Sequence, residues 1–373
     1  MRVLIFYASY GGGHLSAARS IKQYIDDNYK GVDTLLIDCI KYINKGLDKI
    51  TTLAYNEMAK KAPWAWGEIY NHSQKGTMSH ISNGANKIMS FKLNKLFEEF
   101  NPDIVVSTHP FGSQMTAYLK SKGKTNCILA SIMTDFASHD QWLVGNEYID
   151  HIFVSHDGMK KDITAKGIPA SKVHATGIPL SNRFLEHFNR KEIKLSFDLT
   201  LEKKTILFFG GGEFGLGKDK TLKILKAFID NIGDEYEIIA ISGKNPKMQE
   251  KFEELVGNNP NVQVYGYTNE VPELMSISDL VVTKPGGLTI TESLASGLPI
   301  VIINPIPGQE VENAEFLERK GVAVWIRKTE DPEQAVSELL SNPEQIKHMK
   351  IRSKLMAKKH STADICKILM ENK

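Results

Sequence analysis

Short, mostly apolar runs alternate with helical spacing along almost the whole chain. Val3–Ala8, Thr34–Asp38, Ile104–Thr108, Cys127–Met133, His151–Val154 and Lys172–Thr176 are too short for helices and are bounded by polar or glycine-rich stretches, so they predict strands. Leu15–Asn28, Ser113–Ser121 and Gly158–Lys166 lie between them with apolar residues at helical intervals. Strands that are apolar throughout, separated by helices, predict a parallel, doubly wound α/β sheet covered on both faces. A polar, charged stretch from Asn189 to Lys204 follows, and the alternation then starts again. The second series has strands at Ile206–Phe209, Glu237–Ile241, Val262–Tyr265, Leu280–Thr283, Ile300–Asn304 and Val322–Ile326. Its helices include Lys220–Asp230, Lys247–Val256, Glu310–Lys320 and Pro332–Leu340, with Pro343–Lys359 and Ser361–Glu371 after them. The insert from Ile40 to Phe100 is longer than one crossover needs and reads as two or three helices.

The 373 residues exceed what one core usually covers, which fits two domains, placed at 1–185 and 200–354. Hydrophobic content of 42% and charged content of 24% are ordinary for a globular chain. No apolar run is long enough to span a bilayer, and the N-terminus runs directly into a strand with no signal-peptide pattern. A cytoplasmic protein is the expectation. Cys39, Cys127 and Cys366 are far apart, which excludes a disulfide framework and disfavours a cysteine metal site. No metal-ligand cluster of the DxD or HExxH kind occurs, so no metal and no cofactor is expected. The net charge of +2 is unevenly spread. Ile40–Phe100 holds nine Lys against five acids, and Gln345–Lys373 holds eight Lys and Arg against two. Such stretches are usually solvated faces, and they also suit an anionic lipid surface.

Three strand ends carry glycine-rich turns. Gly11-Gly12-Gly13-His14 follows the first strand. Its glycines, Gly12 and Gly13 among them, let a substrate approach the backbone, and His14 falls in the crevice beyond the strand ends where ligands bind in open α/β sheets. An imidazole there suits proton removal near neutrality, and a surface histidine in a capping turn fits the spacing equally well. Gly11-x-Gly13-x-x-Ser16 also approaches the dinucleotide fingerprint, with Asp38 where a ribose-binding acid belongs; Ser16 in place of the third glycine makes this a weak match. In the second half, Gly210-Gly211-Gly212 and Lys284-Pro285-Gly286-Gly287-Leu288-Thr289 each follow an apolar strand. Main-chain N–H groups of Gly211 and Gly212, and those of the helix opening at Gly286, Gly287, Leu288 and Thr289, suit a diphosphate without a metal. Glu292, one turn on, is placed to accept hydrogen bonds from a ribose.

Gln309, Glu310 and Asn313 open a helix after a proline- and glycine-rich loop, and their amides and carboxylate suit sugar hydroxyls; Glu310 as a plain helix cap is the alternative. Asp135 follows the strand Cys127–Met133 and either positions an acceptor, supports a base, or stabilises its own loop. Trp64 and Trp66, behind Lys60 and Lys61, suit a membrane interface, and Trp142, in the loop after Asp135, is assigned to the same acceptor or membrane side.

In this order, Gly11-Gly12-Gly13-His14, Thr134-Asp135-Phe136, Thr176-Gly177-Ile178-Pro179, Lys284-Pro285-Gly286-Gly287, Thr291-Glu292 and Pro307-Gly308-Gln309-Glu310-Val311-Glu312-Asn313 resemble the motifs of bacterial processive diacylglycerol glucosyltransferases and plant monogalactosyldiacylglycerol synthases. The lipid-linked N-acetylglucosaminyltransferase of peptidoglycan synthesis is a more distant likeness. The resemblance implies a GT-B fold: two Rossmann-like doubly wound domains facing a cleft, with the last helix, about 355–373, packing back on the first. It implies inverting, metal-free transfer of a hexose, glucose ahead of galactose, from a UDP-sugar to diacylglycerol or a glycosyl-diacylglycerol. On that likeness His14 is the base, Glu292 binds the uridine ribose, Gln309 and Glu310 hold the donor sugar, and the Pro-Trp-Ala-Trp segment reaches the lipid. The expected setting is the inner face of the cell membrane, peripherally bound to anionic lipid, with no nucleic acid partner. Transfer of N-acetylglucosamine to a prenyl-linked cell-wall precursor, a nucleotide-sugar epimerase, and a nucleotide-binding regulator without catalysis are the alternatives.

Overall fold

The computed structural model describes residues 1–9, 12–43, 93–210 and 217–371. Its contacts group into two units, one of Met1–Asn182 with Lys358–Lys373 and one of Arg183–Ala357. Each unit holds one six-stranded, wholly parallel sheet with flanking helices, the arrangement expected of a GT-B chain.

In unit 1 the strands are β1 (Arg2–Tyr7), β2 (Asp33–Asp38), β3 (Ile104–Ser107), β4 (Ile128–Ile132), β5 (His151–Phe153) and β6 (Val173–His174), in the order β2-β1-β3-β4-β5-β6. Helix α1 (Gly13–Asn28) follows β1, and α2 (Pro110–Ser121) follows β3. Successive residues of β1 feed opposite faces of the sheet. Leu4 and Phe6 join one core with Val105 and Leu129, while Val3 and Ile5 join another with Ile104, Val106 and Ile132. The terminal helix Ser361–Glu371 completes that second core with Ile365, Cys366 and Leu369. Burial on both faces is why these strands read as unbroken apolar runs.

Unit 2 carries β7 (Lys204–Phe209), β8 (Tyr236–Ile241), β9 (Val262–Tyr265), β10 (Leu280–Thr283), β11 (Ile300–Ile302) and β12 (Ala323–Trp325), ordered β12-β11-β10-β7-β8-β9. Its strands are framed by α3 (Arg190–Ser196), α4 (Lys218–Asn231), α5 (Gly287–Ala295) and α6 (Gln309–Arg319), with further helices including Val271–Ile277. In both sheets the order in which successive strands are added switches sides at one parallel pair, β1/β3 in unit 1 and β7/β10 in unit 2. Ligands of open α/β sheets bind beyond the carboxyl ends of that pair.

One sequence expectation needs correction. The stretch Asn189–Lys204 is more than a polar connection, because α3 forms within it. Asn189 caps the helix by accepting from the N–H groups of Lys191 and Glu192. Lys194, 1% exposed, is buried because Glu237 on β8 lies 2.9 Å from its ammonium, which also donates to the carbonyls of Thr200 and Lys203. A charge is tolerated there because every donor has a partner.

Candidate functional site

The crevice of unit 1 opens where β1 and β3 end. His14 lies in the first turn of α1, half-buried, and its Nδ1 is 2.5 Å from the main-chain carbonyl oxygen of Thr108, just past β3. A carbonyl oxygen only accepts, so Nδ1 carries the proton and Nε2 is left with its lone pair. The hydroxyl of Thr134, past β4, shares the same Nδ1–H at 3.1 Å. Thr108 closes the loop by donating its own hydroxyl to the carbonyl of His14 at 2.8 Å. The imidazole is thus oriented by two neighbouring strand ends. Burial pushes its pKa down to about 4, partly offset by the hydrogen bond to Thr108, so the ring is neutral throughout the physiological range. These are the properties of a base: neutral, fixed in tautomer, with one nitrogen open to accept a proton.

Around it, Gly12 precedes α1 with no atom of the described residues within 4 Å of the place a Cβ would occupy, which leaves room on that side for another molecule against the backbone. Asp135 follows Thr134 directly and is half-buried. Asp38, the acid of the dinucleotide fingerprint, accepts from the Ser9 hydroxyl at 2.5 Å and from the N–H groups of Ile40 and Lys41 at 3.1 Å, with the Lys41 ammonium at 3.6 Å. It caps the short helix Cys39–Ile43 and holds a lysine, so its oxygens are occupied. Trp142 was expected on the acceptor or membrane side. It is 5% exposed and packed into the core of Leu4, Phe6 and Val105, so burial of its ring rules out a lipid-facing role. Gly11, Trp64 and Trp66 lie outside the described residues.

In unit 2 the corresponding crevice lies past β7 and β10. Gly210 ends β7 and donates to the Ile241 carbonyl at 2.8 Å, and any Cβ on it would sit 2.6 Å from Phe252. Gly217, directly before α4, has φ +69 and is braced by Asn304. Asn304 is itself held at φ +45, buried, and donates to the Gly217 carbonyl and to the Thr221 hydroxyl. Gly211 and Gly212 lie outside the described residues. Past β10, α5 begins after Gly286 with no side-chain cap, and the first main-chain bond of the helix runs from Ile290 N–H to Gly286. The N–H groups of Gly287, Leu288 and Thr289 therefore precede the helix ladder, an anion site by geometry and dipole. Leu288 is buried as a side chain and so offers only its main chain.

Glu292 stands one turn further on. No hydrogen bond or ion pair reaches its carboxyl among the described residues, and desolvation alone pushes its pKa up to about 8. Lys284, at the very end of β10, is also desolvated, which lowers its pKa against a smaller opposite pull from Glu310. In the sequence this lysine stands in the motif without an assigned role; a cation directly after a strand, beside a helix start, is its signal. Glu310 accepts from the Ile306 N–H at 2.7 Å, tying down the loop before α6, and its other oxygen lies 4.0 Å from the Cβ position of Gly286. Gln309 beside it is half-buried. Asn313 was expected among the sugar-binding residues. It is 0% exposed and donates to the Pro285 carbonyl at 3.0 Å, so it shapes the Pro285-Gly286-Gly287 turn from behind and cannot touch a ligand.

Comparison with known proteins agrees with this layout. Residues 14–180 match the family model described as monogalactosyldiacylglycerol (MGDG) synthase, and residues 205–367 match the glycosyltransferase family 28 C-terminal domain. The chain is 30% identical over 380 residues to a processive diacylglycerol beta-glucosyltransferase of Staphylococcus epidermidis, covering 99% of this chain and 92% of that one. Among solved structures it superimposes on MurG of Acinetobacter baumannii with a TM-score of 0.68 at 14% identity, over 100% of both chains. It also superimposes on a UDP-GlcNAc 2-epimerase from Neisseria meningitidis bound to UDP-GlcNAc, with a TM-score of 0.64 at 13% identity and the same coverage. At such identities the two structures share the fold alone.

Proposed function

This chain belongs to the family of the processive diacylglycerol beta-glucosyltransferases, and from that premise we propose that it moves glucose from a UDP-sugar to diacylglycerol, or to a glucosyl-diacylglycerol, at a membrane surface. The observation that carries the chemistry is the tautomer of His14: tied through Nδ1–H to a main-chain carbonyl, it presents Nε2 as a neutral base. Likeness to MurG and to the epimerase, at 14% and 13% identity, reaches the fold alone and favours neither the N-acetylglucosaminyltransferase nor the epimerase alternative.

Unit 2 takes the donor. The N–H groups of Gly287, Leu288 and Thr289 meet the diphosphate, with the Lys284 ammonium beside them. Glu292 bonds the ribose hydroxyls, which supply the partners its carboxyl lacks. Gln309 and Glu310 hold hydroxyls of the sugar. Unit 1 takes the acceptor alcohol, whose oxygen approaches over Gly12 and Gly13. His14 Nε2 removes its proton as the oxygen forms a bond to the anomeric carbon and the bond from that carbon to UDP breaks on the opposite face, inverting the centre. Asp135 assists in placing the alcohol or the imidazole. Negative charge arriving on the departing UDP meets N–H dipoles that already point at it, so the step needs no metal.

Membrane contact is peripheral on this reading, since no helix among the described residues is long and apolar enough to cross a bilayer. Support comes from the helix Pro343–Met356, which exposes Ile351 at 50% and Leu355 at 80% beside Lys347 and Lys354. The test is incubation with diacylglycerol-containing liposomes and a panel of radiolabelled nucleotide sugars, followed by lipid extraction and chromatography. Glucose is expected in the lipid fraction. Label entering from UDP-N-acetylglucosamine instead, or UDP-sugar consumed with no labelled lipid, would overturn the proposal.

A further inference from the structure

Next to the base lies a second histidine. His109 follows Thr108, 9% exposed, and its ring meets that of His14 at a centroid distance of 4.8 Å and an interplanar angle of 81°. Its Nδ1 accepts from the Phe111 N–H at 3.3 Å and so caps α2. That bond assigns Nδ1 as the unprotonated nitrogen of His109. One imidazole is therefore attached both to a helix end and to the flank of the base.

We propose that His109 is a positioning residue for the transfer reaction: its ring, set edge-to-face on His14, excludes water from one side of the base and fixes the ring plane in which Nε2 faces the acceptor alcohol. The inference rests on His14 being that base. Among the described residues a carbonyl and a hydroxyl at Nδ1 and a ring at its side then define the imidazole. Arg2 and Tyr7 on β1, Arg19, Lys22, Tyr24, Asp26 and Asp27 on α1, Tyr118 and Lys120 on α2, and Asp135 after β4 are the other ionisable side chains on these elements. His109 is held neutral too, by burial first and by His14 second. Two neutral rings in contact stay neutral together, because a charge on either would be desolvated and would face its neighbour. Removing the His109 ring admits water to His14 and lets its pKa climb from about 4 toward 6.5.

Three variants separate the two attachments. His109→Ala removes both, His109→Asn keeps an acceptor for the Phe111 N–H, and His109→Phe keeps a ring. Two readouts are used: the pH profile of kcat/KM between pH 5 and 9, and the titration of the His14 Cε1 resonance in protein carrying carbon-13 histidine, assigned by its absence from His14→Ala. Wild type and His109→Phe should show no acid limb in this range. His109→Ala and His109→Asn should both show one near pH 6, which lowers kcat/KM about fourfold at pH 5.5 relative to the plateau. His109→Asn should recover thermal stability lost in His109→Ala without recovering the profile. An unmoved His14 titration in His109→Ala and His109→Asn would overturn the positioning role, and so would a limb in His109→Phe equal to that of the alanine variant. Wild-type-like turnover in His14→Ala would instead overturn the reading of the base on which the inference stands.

Discussion

Glu292→Gln is expected to make this protein both more stable and worse at binding UDP. Burial raises the carboxyl pKa from 4.5 to about 8 in the folded chain, and no partner among the described residues offsets it. The folded state therefore holds a proton that the unfolded chain releases above about pH 4.5. Stability contributed by this group is full below that pH and declines as pH rises through the window from 4.5 to 8. At pH 7 the penalty is on the order of 3 kcal/mol, at about 1.4 kcal/mol for each pH unit above 4.5. A glutamine has the same shape and no proton to hold. It should raise the melting temperature at pH 7 by about 6–12 °C, allowing about 2–4 °C per kcal/mol for a unit of this size. At pH 4.5 the two proteins should melt together. The same change puts an amide N–H donor where the ribose meets a carboxyl oxygen and should weaken UDP about tenfold, the loss of one hydrogen bond with its partner left unsatisfied. Scanning calorimetry at pH 4.5, 7 and 8.5 reads the first effect and titration calorimetry with UDP the second. Equal melting temperatures at pH 7 would show that the carboxyl is solvated or paired. Tighter melting with unchanged UDP affinity would separate Glu292 from the ribose altogether.

Other outcomes follow from the same geometry. His14→Ala should lower turnover by about 10² or more with UDP affinity unchanged, measured by single-turnover kinetics and titration calorimetry. Lys284→Met should weaken UDP by about 1.5–3 kcal/mol, and the salt dependence of UDP binding should flatten in the variant; an unchanged salt slope would take the ammonium away from the diphosphate. Asn313→Leu should leave the Pro285 carbonyl buried without its donor, costing about 1–3 kcal/mol of stability and weakening UDP through the displaced turn, read by denaturant unfolding and binding. Gly210→Ala should destabilise by about 1–3 kcal/mol, because its Cβ would overlap Phe252, whatever its effect on the donor.

The strands were legible because parallel sheets bury both faces of each strand, and Val3, Leu4, Ile5 and Phe6 are all 0% exposed. Helix α3 was not, since its burial depends on Lys194 meeting Glu237 across 43 residues, and local polarity gives no sign of that. Glycine turns and Glu292 announced themselves by position after strands. What a polar side chain faces is a different question. Asn313 and Gln309 look alike in the sequence, yet one is sealed behind a turn and the other lies half-buried in the first turn of α6. Trp142 shows the same limit for an aromatic: its size fits a lipid interface or a core, and its burial in the core that also holds Leu4 and Phe6 decides. The partner of His14 was beyond reach for a further reason, because it is a carbonyl and every residue type has one.

That anonymity of the Thr108 carbonyl has an evolutionary edge. A catalytic dyad with a carboxylate is disarmed by one codon change. Here no replacement at position 108 deletes the acceptor, short of displacing the strand end itself, so the tautomer of the imidazole is inherited with the sheet rather than with a side chain. Drift around the acceptor crevice can alter which alcohol enters while the proton-accepting nitrogen stays in service.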